Sequence, residues 1–267
     1  MPRAGAAAVF DEHFLELKVM GLFDLFSKKT AGEAKPKEVG ARELARLTRV
    51  VSNKMSQNYD RQEAIEQLSH MANVEGAKAL LRRFDFSMEP SIVDQDEKEA
   101  AAQGIIGAGI AALEPIHAYC ARAESLTWPL KVLRQIVPSE QIVTELLTLL
   151  DQFDTEYLRN PEPKIQLIAL LGEYRTNEVR EAVEPFLTDV NESVRFHASG
   201  TVFSMGEIQS AEPLVEALAQ EESLRVKNRI ARGLEQAGWV LSDELAKRTE
   251  AALPPGYTLR GNRVVSG

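Results

Sequence analysis

Six basic residues recur along the chain at nearly constant spacing. Arg61, Lys98, Lys131, Lys164, Arg195 and Arg225 are separated by 37, 33, 33, 31 and 30 residues. Each stands near the expected start of a helix. A repeat of about 20–50 residues restricts a chain to solenoids, propellers or linear arrays. Both halves of each period carry apolar residues at helical spacing, which selects an α-solenoid. A helix pair leaves one apolar face uncovered, and only the neighbouring pair can cover it. The clearest two units fill Pro163 to Leu218, each a helix, a short polar break and a second helix with an early proline, Pro185 or Pro213.

These units resemble HEAT repeats of the short bacterial, lyase-like kind. Asp189 and the run Ser193-Val194-Arg195 with Ala198 match that family's turn aspartate, its Val-Arg pair and the alanine three residues on. Lys164 with Gly172, and Arg225 with Gly233, match its basic residue and the glycine eight later, whereas Lys98 and Arg195 reach Gly109 and Gly206 at plus eleven. The resemblance covers about Asp60 to Leu253. It implies an all-α, right-handed α-solenoid of about six helix pairs, with the second helix of each pair lining a concave face. Residues of the Asp189 and Arg195 type would then hold the turns between helices.

Composition narrows the partners. The formal charge is −9, which argues against nucleic acid, because a chain that neutralises phosphates needs a basic stripe. One cysteine, Cys120, excludes an internal disulfide and a multi-cysteine metal site. No apolar run reaches the roughly 20 residues that span a bilayer. A secretory signal is not expected, since Asp11, Glu12 and Glu16 interrupt the stretch that should be apolar. A cytoplasmic location follows as the expectation.

Taken in order, residues 1–38 read as an amphipathic segment and a flexible linker. Met20 opens the run MGLFDLFSKK and is expected to be the natural start. Leu22, Phe23 and Phe26 are candidate docking residues, for an inner-membrane surface or a protein complex. From Gly21 to Gln57 the local balance is +4, so the remainder is strongly acidic. Residues 39–57 read as a capping helix bearing Leu44, Leu47, Val51 and Met55. Residues 58–253 hold the repeats, with Asp60 as an expected N-cap. Asp94-Gln95-Asp96-Glu97 reads as acids set against a helix N-terminus. The first helix of the sixth unit is more charged than the others, as a terminal unit's solvated face should be. In the tail, 254–267, Gly261-Asn262 between two short β-prone runs signals a hairpin turn.

Catalytic signatures are few. Gly104-Ile105-Ile106-Gly107-Ala108-Gly109 reverses the order of the dinucleotide fingerprint and follows a helix, so close helix packing and a helix end are the expected roles. The histidines, His13, His70, His117 and His197, make no i,i+3 or i,i+4 pair, and His197 reads as a helix-surface residue. No catalytic, cofactor-binding or metal-ligating residue is assigned.

The expected activity is therefore that of a non-enzymatic scaffold binding another protein. By the resemblance, its concave face would carry Glu114, His117, Arg122, Glu145, Glu178, Glu181, Glu184 and Glu216. Most are acidic, so a basic protein segment is the expected partner. Two enzymatic alternatives come with the resemblance: a bilin lyase or isomerase, and a helical-repeat DNA glycosylase. The first would want a pocket of aromatics and acids, the second a basic groove with aromatics.

Overall fold

The computed structural model describes residues 40–267. The proposed anchor residues Leu22, Phe23 and Phe26, and Met20, lie outside the described residues. Among the described residues, thirteen α-helices precede a two-stranded sheet. A first helix, α1 (Ala41–Val51), buries Leu47 and Val51, while Met55 lies beyond its end and is exposed. Helix pairs then follow: α2 (Asn58–Ser69) with α3 (Val74–Leu81), α4 (Ser91–Gly107) with α5 (Leu113–Cys120), and α6 (Thr127–Ile136) with α7 (Ile142–Leu150). The last three are α8 (Glu162–Leu171) with α9 (Asn177–Val183), α10 (Glu192–Met205) with α11 (Ala211–Gln220), and α12 (Leu224–Ala237) with α13 (Asp243–Ala252).

Local chemistry sets many of these ends. Asn73, Thr176, Asn191, Ser223 and Ser242 each accept a backbone N–H in the first turn of the helix they precede. Such a cap stabilises a helix by about 1 kcal/mol. Helices α10 and α12 stop at Gly206 and Gly238, both in the left-handed region that closes a helix C-terminus. Asp60 is not a cap: α2 starts two residues earlier, at Asn58, with Gln57 before it and no side-chain cap.

The helices contact one another in two sets of neighbours. One series joins α2 to α4 and α4 to α6, then α8 to α10 and α10 to α12. The other joins α1 to α3 and α3 to α5, then α7 to α9 and α11 to α13, with the 3-10 turn Glu184–Thr188 bringing α9's end onto α11. Each second helix also leans on the next first helix, as α3 does on α4 and α9 on α10. One cluster of buried side chains runs the whole length, through Leu68, Ile105, Leu133, Leu146, Ile168, Val202 and Ile230.

There is a seam between α6 and α7. The helices of α1–α6 make no extended backbone contact with those of α7–α13, although Glu38–Gly267 is one compact unit. Side chains make the join instead. Gln166 accepts the Leu126 N–H and donates to Thr127 Oγ1 at 3.1 Å. Asn160 donates to the Glu124 carbonyl at 2.8 Å, and Arg134 pairs with Glu173 at 2.9 Å.

The regularly spaced basic residues tie each unit to another part of the array. Lys164 donates to Asp189 at 2.6 Å and to the Asp154 carbonyl at 2.6 Å, with both charged groups buried. Arg195 forks onto Glu221 at 2.7 and 2.8 Å and also holds the Asp189 carbonyl. Arg61 forks onto Glu97 at 3.0 and 3.1 Å. Lys131 reaches back to Glu99, and Arg225 to Glu192, in exposed pairs.

The acidic run at Asp94 does more than oppose a dipole. Helix α4 opens at Ser91, so Asp94 and Glu97 lie inside it and face inward. Arg83, fully buried, donates to Asp94 at 2.7 Å and to Glu97 at 2.7 Å, while Lys98 donates to Asp94 at 2.7 Å. Burial pushes the Asp94 carboxyl up, but the Lys98 and Arg83 hydrogen bonds outweigh it and leave the group below its ordinary range. Gly104 on the same helix sits against Ser69 and Leu80 with no room for a Cβ, and Gly109 takes a positive φ just past the helix end.

The tail forms a hairpin of β1 (Tyr257–Arg260) and β2 (Arg263–Ser266), paired antiparallel with Arg260 opposite Arg263. Gly261 and Asn262 both have φ near +57°, the backbone of a tight two-residue turn. A lone hairpin is marginal in water. This one buries Val264, packs β2 on α12 and β1 on α13, and bonds Ser266 N–H to Glu235 at 2.8 Å.

Candidate functional site

The second helices carry the residues assigned to the partner surface, and the structure divides them. Glu114 and His117 lie on α5, Arg122 just past its end, and Glu145 on α7. His117 Nε2 comes within 2.9 Å of Glu145 Oε2 across the seam. The separation is that of an ion pair but the angle is not that of a hydrogen bond, and Nε2 is otherwise buried without a partner. Arg122 is exposed, its guanidinium 5.8 Å from the Tyr119 ring centroid. Glu184 is consumed within the fold: Arg180 donates to it at 2.8 Å and Ser210 at 2.6 Å.

Glu178, Glu181 and Glu216 remain exposed on α9 and α11, joined by Glu212, which sequence reasoning missed. The exposed residues of these two helices are Asn177, Glu178, Glu181, Glu212, Glu216, Ala219 and Gln220, with no exposed cation among them. Arg180, the one cation of α9, bonds Glu184 and Asn177 and also pairs with Glu181 at 3.1 Å, so Glu181 is partly compensated while, among the described residues, Glu178, Glu212 and Glu216 have no cation beside them. The Glu178 carboxyl is held below its ordinary range by its own N–H and by the Thr176 hydroxyl. The surface is therefore anionic at neutral pH.

A groove lies on the first-helix side, between α10 and α12. It is an open groove of about 530 Å³. Arg225, Arg229 and Arg232 fall at i, i+4 and i+7 of α12 and so share a face. Phe196 of α10 lies beneath two of them, with Arg225 Cζ 3.9 Å and Arg229 Cζ 4.5 Å from its ring centroid. Gly200 makes room for this: a Cβ there would meet Arg229 Nη2 at 1.9 Å. Further along, Gly233 makes room for the Phe203 ring, which stacks on Trp239 with centroids 5.9 Å apart.

The groove's charge is poorly compensated. Among the described residues, no carboxylate lies within ion-pair distance of Arg229 or Arg232, and Arg225 has only Glu192 at 3.3 Å. Burial, with Arg225 and Arg232 beside it, lowers the Arg229 pKa from its ordinary value. His197, edge-on to Phe196 at 5.6 Å, is lowered by burial and by Arg229 and Arg225. It is half-buried.

Sequence reasoning took the charge on α12 as a solvated face. The arginine spacing was a usable signal, but the aromatic floor comes from a helix some thirty residues upstream.

Cys120 carries no activated thiol. It is buried, and burial pushes its pKa up to about 12. Among the described residues, no group of three or more His, Cys, Asp and Glu is placed to hold a metal ion, and no helix is long and apolar enough to cross a membrane. No protein-family model and no curated protein matches the chain.

Proposed function

We propose that the chain is a non-enzymatic scaffold, a right-handed α-solenoid of about six HEAT-like helix pairs that binds a basic segment of another protein. Its site is the second-helix surface, and the observation that carries the reading is the exposed face of α9 and α11. Four carboxylates, Glu178, Glu181, Glu212 and Glu216, stand there without an exposed cation. The two series of packed helices support the architecture, because stacked pairs present long continuous faces rather than one enclosed cavity. Charge of this kind mainly accelerates association and selects the partner. The N-terminal segment, through Leu22, Phe23 and Phe26, would tether the scaffold to a complex or a membrane surface in the cytoplasm.

Affinity capture from native lysate tests the reading. The full chain is compared with a variant carrying Glu178→Lys, Glu181→Lys, Glu212→Lys and Glu216→Lys. The expected result is a basic protein retained at low salt by the first and lost by the second. Equal retention by both would remove this surface from the function.

A further inference from the structure

The groove between α10 and α12 has the opposite charge to the proposed partner surface and lies on the other helix series. We propose that it is a second binding site, which takes an acidic segment of a protein partner. The argument starts from the arginines. A guanidinium stacked on an aromatic ring keeps its N–H edge directed outward, in the fork geometry that suits a carboxylate. Two such guanidiniums lie on Phe196, and Arg232 continues the row one turn further along α12.

The fold does not use this charge internally. The buried basic residues of the fold, Lys164, Arg61, Arg83 and Lys98, are each matched to a buried carboxylate, whereas the groove's arginines are exposed. Among the described residues, the exposed Arg229 has no carboxylate partner, and partial burial of its guanidinium and two like charges disfavour its cation. A carboxylate from outside would relieve that repulsion. Gly200 opens the notch in which the Arg229 guanidinium lies against α10.

The same observations choose between anionic partners. A nucleic acid needs a track of cations along its phosphates. Here the positive patch is short: Glu192 pairs with Arg225, and Glu235 follows Arg232 by three residues on α12, on a chain of net charge −9. A peptide with a few carboxylates fits that length. The floor of Phe196 and Phe203 would accept an apolar side chain set between them.

The probe is a fluorescein-labelled synthetic dodecapeptide with four Asp or Glu flanking a central Leu, titrated by anisotropy against the full chain. Binding is expected to weaken as salt rises from 50 to 300 mM. Arg229→Gln should weaken it about tenfold or more, since a charged hydrogen bond is lost. Gly200→Ala should also weaken it by displacing the Arg229 guanidinium, while leaving the thermal midpoint unchanged. That second variant separates loss of the site from loss of the fold. The four-Glu-to-Lys variant of α9 and α11 should bind the peptide as the parent does, so this site stands or falls independently of the other.

Peptide binding unaffected by both Arg229→Gln and Gly200→Ala would overturn the proposal. So would tighter binding of a twelve-nucleotide single strand than of the peptide. A salt-sensitive dimer of the chain alone, abolished by the four-Glu variant, would instead assign the groove to a second copy and sink the peptide reading.

Discussion

At the scale of single residues, the repeat's basic positions act as struts. Lys164 and Asp189 are both buried and are bonded at 2.6 Å. Replacing one partner leaves the other charge in the interior unpaired, which costs about 3–5 kcal/mol. Lys164→Met should therefore lower stability by that amount in denaturant unfolding. Lys164→Met combined with Asp189→Leu should recover much of it, because apolar packing can replace a buried pair. A double variant as unstable as the single one would show that the pair orders the turn rather than merely neutralising itself.

The acid side follows from two carboxyls. Asp94 and Glu221 are both pushed up by burial but brought below their ordinary values of 3.8 and 4.5 by partners, Lys98 and Arg83 in one case, Arg195 and the Ser223 N–H in the other. A carboxyl with a depressed folded-state pKa stabilises the fold above its unfolded pKa, and that stability is lost as pH falls through the folded value. The thermal midpoint should therefore hold from pH 7 to about 5 and drop below the ordinary carboxyl range. Asp94→Asn should lower the neutral-pH midpoint and flatten the acid limb. An unchanged acid limb in that variant would exclude Asp94 as a contributor.

At the scale of elements, the glycines of α10 and α12 distinguish two kinds of close approach. A Cβ at Gly233 would meet the Phe203 ring at 2.2 Å, and a ring against Trp239 has nowhere to go. Gly233→Ala should destabilise by about 1–3 kcal/mol, the usual cost of overpacking. A Cβ at Gly200 meets only the mobile end of Arg229, so Gly200→Ala should be near neutral, the gain in helix propensity of about 0.5–1 kcal/mol offsetting the displaced side chain. Thermal unfolding of the two variants checks the contrast.

The same elements show what was legible. Apolar spacing located the helices and Gly261-Asn262 located the hairpin, while caps such as Asn191 and Ser223 were seen only in the structure. Ends set without a side-chain cap, at Asn58 and Ser91, were misplaced, because no side chain marks them. The candidate surface was legible only in part. A helix's exposed acids can be read from periodicity, but whether Glu184 is free or bonded to Arg180 and Ser210 depends on where α11 lies. The groove was missed for a related reason. Phe196 becomes a floor for Arg225 and Arg229 only once α10 and α12 are side by side.

For the whole molecule, the seam between α6 and α7 decides how the fold comes apart. Stability in a stacked array is close to a sum of unit terms and nearest-neighbour terms, so the weakest interface sets where cooperativity breaks. Here the buried side-chain cluster continues across the seam, but the helices make no extended backbone contact over it. Polar side chains span it, including Gln166, Asn160 and the misaligned His117–Glu145 pair. Polar bridges contribute less net stability than the apolar contact of closely packed helices, because each replaces a bond to water. Hydrogen exchange should therefore resolve two cooperative groups of amides, one in α1–α6 and one in α7–α13, with different opening free energies. Gln166→Ala should widen that difference and leave protection within α10 and α12 intact. A single opening free energy shared by both groups, unchanged in the Gln166 variant, would mean that the continuous apolar core couples the two halves and that the polar bridges are incidental.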